Sequence, residues 1–61
     1  MVATRLRVRG SFYPLDVTET SADIDWQKGN ADPMFYLHHV ENGERFAIKK
    51  TDVLTMVEIE R

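Results

Sequence analysis

At 61 residues without a cysteine, the chain has no disulfide framework and no thiolate metal site, and a domain this small buries only about 60% of the surface its unfolded form exposes. Its 43% hydrophobic and 30% charged residues argue against a disordered chain, and a net charge of −2 argues against a domain-wide field that gathers nucleic acid. One small β domain over 1–61 is expected, its modest stability made up by closure of a barrel or by dimerisation.

The charge is unevenly placed. Residues 1–14 carry Arg5, Arg7 and Arg9 and no acid, whereas residues 15–32 set Asp16, Glu19, Asp23, Asp25 and Asp32 against the single Lys28. In "MVATRLRVRG" the alternating charges leave no apolar run for a signal peptide or a membrane span, so a cytoplasmic chain without membrane contact is expected.

From residue 4 to 9 the pattern has period two, with Thr4, Leu6 and Val8 on one face and the three arginines on the other, as a half-buried strand requires. Gly10-Ser11 suits a two-residue turn into a second strand. That register sets Pro14, which has no N–H to give, opposite Arg7. A four-residue loop over 10–13 moves Pro14 opposite Arg9 instead. Either register pairs Leu6 and Val8 with apolar residues among Tyr13, Leu15 and Val17, and Asp16 with an arginine.

The segment "TETSADIDWQKGNADP" reads two ways. As a strand, Ile24 and Trp26 alternate with aspartates. As a helix, Ser21 is the N-cap, Asp23 and Asp25 suit the positive N-terminal end, Lys28 the C-terminal end, and Gly29 a left-handed stop. The caps favour a short helix at about 22–28. Asp32-Pro33 then turns the chain back to extended conformation.

In "FYLHHVENGERFAIKK" the Asn42-Gly43 pair predicts a type I′ hairpin, which sets His39 opposite Phe46 and His38 opposite Ala47. Phe35, Leu37, His39, Phe46 and Ile48 share the apolar face. Tyr36, His38, Val40, Arg45, Ala47 and Lys49 share the other. Thr51 or Asp52 caps a 3₁₀ turn near 51–55, and a last strand over 56–60 points Val57 and Ile59 inward and Glu58 and Glu60 outward. The expected fold is mainly β: a small five-stranded antiparallel barrel or strongly bent sheet, SH3-like or OB-like, with an open sheet packed by the helix as the alternative.

Chemistry-bearing motifs are few. Consecutive strand residues face opposite ways, so His38 and His39 cannot chelate one metal ion, and no HxH or HExxH spacing is present. No phosphate loop or nucleophile elbow occurs. Ser11 and Ser21 sit where turns and caps use serine. Neither an enzyme nor a cofactor is expected. Trp26 reads as a partly buried lid on the core, and Met34 and Met56 as core filler.

The arginine stripe is the most specific surface feature. As a binding face, Arg5, Arg7 and Arg9 track phosphates, Phe12 or Tyr13 stacks bases, and Tyr36, His38, Lys49 and Lys50 extend the surface. As a plain charge ladder, the first and last strands pair and set the arginines beside Glu58 and Glu60, with Asp16 on the other side. The leading expectation is a non-enzymatic protein-interaction module that docks on a protein partner or pairs with itself as a homodimer through a sheet edge. A single-stranded nucleic-acid binder is the second.

Overall fold

A computed structural model describes all 61 residues. In chain order it contains β1 (Val2–Val8), β2 (Leu15–Val17), α1 (Ser21–Lys28), β3 (Met34–His38), β4 (Arg45–Lys49), a 3₁₀ turn (Lys50–Asp52) and β5 (Val53–Glu60). The strands form two antiparallel sheets, β2-β1-β5 and β3-β4. Neither sheet closes on itself. They meet at one corner, where Val17 bridges His39, the Thr18 amide donates to the His38 carbonyl (3.0 Å) and the Val40 amide to the Asp16 carbonyl (3.1 Å). Leu6 and Val17 from one sheet, Phe35 and Leu37 from the other, and Ile24 from α1 form the core between them. No helix is long and apolar enough to cross a membrane.

β1 and β2 pair Thr4 with Val17, Arg5 with Asp16 and Leu6 with Leu15. This is the register that sets Pro14 against Arg7, and the conflict is removed by ending the ladder at Leu15. The turn is centred one residue earlier than Gly10-Ser11: the Ser11 amide donates to the Val8 carbonyl at 3.1 Å, with Gly10 at φ 82°. A side chain other than glycine is strained in that backbone region.

The helical reading of the middle segment holds, with different caps. Thr20, not Ser21, is the N-cap: its hydroxyl accepts from the Asp23 amide, and the Asp23 carboxylate accepts from the Thr20 amide. Only Thr20 stands three residues before an acid in the helix's third position, which the reciprocal capping box needs. Ser21 instead donates its hydroxyl to Glu58 at 2.5 Å. Gly29 is right-handed (φ −78°), so it is no left-handed stop. The Lys50 ammonium serves that end, donating to the carbonyls of Gln27 (2.6 Å) and Asn30 (2.9 Å), where the helix dipole favours a cation.

The β3–β4 register differs by two residues from the hairpin expectation. His38 opposes Arg45 and Tyr36 opposes Ala47, joined through a four-residue loop, Val40 to Gly43. Val40 lies in the loop, its amide donating to the Asp16 carbonyl. Gly43 takes the left-handed position (φ 72°) and donates to the His39 carbonyl at 2.9 Å, while the Asn42 side chain accepts from the Glu44 amide. A shift of two keeps every side chain on its face. Phe35 and Leu37 are accordingly buried, and His39 stacks on Phe46 at 4.3 Å between ring centres.

β5 departs most from expectation. It starts at Val53, the 3₁₀ turn before it lies at 50–52 without a side-chain cap, and its facing is reversed. Leu6 opposes Met56 and Thr4 opposes Glu58, so Met56 faces the core while Val57 is 61% exposed on the outer face. Parity follows from the inward Leu6 once the strands pair. A bulge beside Arg7 and Val8 skips Leu54, turning it outward and placing Val53 opposite Val8. Ile59 pairs with Ala3 on the outer face, and Arg61, one register step beyond Ile59, reaches across to Asp16 at 2.8 Å.

Candidate interaction surfaces

The arginine stripe is broken up by its neighbours. Arg5 makes a two-point contact with Asp16, Nε to Oδ1 at 2.8 Å and a terminal nitrogen to Oδ2 at 3.0 Å, and Arg61 shares the same carboxylate. Hydrogen bonds from Arg5 hold the Asp16 carboxyl below the usual carboxylate range, and the same contact raises Arg5. Arg9 lies 4.0 Å from Asp52. Arg7 opposes Thr55 and makes no ion pair. The ladder to the C-terminal acids does not form, because the register places Glu58 and Glu60 opposite Thr4 and Val2.

Tyr36, His38, Arg45 and Lys49 share the outer face of β3–β4, which points away from the arginines because the two sheets pack inner face to inner face. Phe12 and Tyr13 stand in the loop between β1 and β2, 93% and 81% exposed. The residues singled out from the sequence therefore make no single surface. His38 is half-buried rather than exposed: Nδ1 lies 2.7 Å from one Glu19 oxygen, and its amide donates to the other at 2.9 Å. Burial pushes the Glu19 carboxyl up, but the bonds from His38 pull it further down, to below its ordinary value. Lys49 is exposed opposite Met34. Arg45 lies over the Tyr36 ring at 4.9 Å, and the Asp32 carboxylate raises the Tyr36 phenol.

Strand edges decide what a small sheet can pair with. The edge of β3 away from β4 is used up inside the chain. The Gln27 amide bonds the Tyr36 backbone twice, Glu19 takes the His38 amide, Thr18 the His38 carbonyl and Asp32 the Met34 amide. The edge of β4 carries Arg45 and Lys49 on either side of Ala47, a pattern that repels a second copy. The edge of β5 is open. Met1 and Arg61 exchange both backbone bonds, so by alternation the amides and carbonyls of Met56 and Glu58 point away from β1. No backbone group of the chain meets them. Leu54 and Val57, 54% and 61% exposed, flank this edge.

A hollow of about 430 Å³ lies between α1 and β3, walled by Trp26 and Tyr36 and edged by Glu19, Asp23, Gln27 and Asn30. Trp26 is 75% exposed there and is no lid on the core; Ile24, two positions earlier, fills that place. Nothing in the sequence marks Gln27 as an edge plug, since a glutamine on an exposed helix is ordinary. The open β5 edge is not legible in the sequence, where Val57 and Ile59 alternate with Glu58 and Glu60 as inward residues would, whereas the register with β1 turns Val57 outward. Among known proteins, no family model, no curated sequence and no solved structure matches this chain.

Proposed function

We propose that the protein is a small non-enzymatic interaction module that pairs with a second copy of itself through the free edge of β5. The observation that carries this reading is the contrast among edges: β3 is plugged, β4 is guarded by cations, and β5 offers unpaired Met56 and Glu58 backbone beside exposed Leu54 and Val57. An antiparallel two-fold pairing centred on Val57 sets Met56 of one copy against Glu58 of the other, Leu54 against Glu60, and Val57 against itself. No like charges stand directly opposite each other. The apolar pair at the centre is the close, non-hydrogen-bonded kind that contributes most through side chains. The fold itself we read as a partly open SH3-like barrel, on the strand order β4-β3-β2-β1-β5 and the 3₁₀ turn before the last strand.

Sedimentation velocity over a concentration series tests the pairing. A monomer–dimer equilibrium is expected, insensitive to salt, and abolished by Val57→Lys, which sets two ammonium groups against each other. A concentration-independent monomer, or a ladder of larger oligomers as a β4-to-β5 contact would build, contradicts it. The second reading, a single-stranded nucleic-acid binder, is favoured by Arg7 without an acidic partner and by the exposed Phe12 and Tyr13.

A further inference from the structure

We propose that the hollow between α1 and β3 binds a quaternary alkylammonium group, such as a trimethylated amine. Its two aromatic walls, Trp26 and Tyr36, line one space without stacking on each other; the stacked aromatic pair of the molecule is His39–Phe46. The face of a tryptophan or tyrosine ring attracts a cation within about 6 Å. The charged residues that line the space, Glu19 and Asp23, are both acids. Arg45, which lies over the Tyr36 ring at 4.9 Å, lines the neighbouring hollow on the β4 side, and the Lys50 ammonium is held by the Gln27 and Asn30 carbonyls, so neither cation is among the side chains that line this one.

The hydrogen-bonding state of the lining selects the kind of cation. Gln27 spends both ends of its amide on the Tyr36 backbone, both Glu19 oxygens bond His38, and Asn30 Oδ1 accepts from the Asp32 amide. Asp23 gives one oxygen to the Thr20 amide. The site thus offers negative charge and aromatic surface with few acceptors to spare. A primary ammonium or guanidinium entering it exchanges water for incomplete hydrogen bonding, which is costly. An alkylated ammonium carries the charge, donates no hydrogen bond and presents methyl groups to the rings.

Trp26 is the chain's single tryptophan, so its fluorescence reports this hollow alone. Titration with choline is expected to give a saturable change that its neutral isostere 3,3-dimethyl-1-butanol and matched sodium chloride do not. Tyr36→Leu weakens choline binding about fivefold or more. Saturation-transfer NMR of the choline methyl protons checks the same site in Trp26→Leu, where the signal is lost while the amide spectrum stays folded. Equal responses to choline and the neutral alcohol, a change that never saturates, or undiminished binding in both variants overturns the proposal.

Discussion

Gln27 supplies to Tyr36 both hydrogen bonds that a neighbouring strand would supply, Nε2 to the carbonyl at 2.9 Å and Oε1 from the amide at 2.8 Å. A helix side chain thereby closes a sheet edge. Gln27→Ala leaves that edge to water and is expected to cost about 1 to 2 kcal/mol by denaturant unfolding, on the net worth of the two bonds. Gln27→Glu, which keeps the acceptor but sets a carboxylate oxygen against the Tyr36 carbonyl, is expected to cost at least as much at neutral pH. No change in either variant contradicts the plug.

Acid sensitivity follows from Glu19 and Asp16. Both carboxyls lie below their ordinary values in the folded protein. Their stabilisation is complete above the unfolded values of about 4.3 and 3.9 and is lost as pH falls through the lower folded values. Unfolding free energy is therefore expected to decline below about pH 4, and the decline flattens in Glu19→Gln with Asp16→Asn. At neutral pH, Glu19→Gln alone is expected to cost about 1 to 3 kcal/mol, because Glu19 binds both the amide and the ring of His38.

Lys50 joins the 3₁₀ turn to the end of α1 through the carbonyls of Gln27 and Asn30. Lys50→Met keeps the apolar stem and removes the charge. It is expected to lower stability by about 1 kcal/mol and to fray the last turn of α1, seen as faster hydrogen exchange at Gly29 and Asn30, whose amides donate to Asp25 and Gln27.

Period-two alternation made the strand faces of β1 and β3–β4 legible, and the hairpin survived a register error because a slip of two preserves parity. The β5 faces were not legible. In "VLTMVEIE" apolar residues stand on both parities, and only pairing with β1, together with the bulge at Leu54, decides that Met56 faces inward. The caps of α1 marked a helix against the alternating strand reading, yet they did not show that Ile24 rather than Trp26 enters the core. Nor was the arginine face legible as a site. Whether Arg5 is free depends on Asp16 and Arg61, brought together from distant parts of the chain.

Arg7 is the discriminating residue for nucleic acid. With Arg5 tied to Asp16 and Arg9 beside Asp52, an oligonucleotide titration at low salt is expected to show no more than weak binding. Tight, steeply salt-dependent binding that is lost in Arg7→Glu would make the second reading the better one.

Backbone pairing at β5 has its most direct readout in amide hydrogen exchange followed against protein concentration. The Met56 and Glu58 amides are expected to gain protection as concentration rises, while the Ala47 amide on the β4 edge does not, and Val57→Lys removes the gain. Met56 and Glu58 amides that exchange at one unchanging rate across the series, or protection that rises at Ala47 instead, would contradict the account.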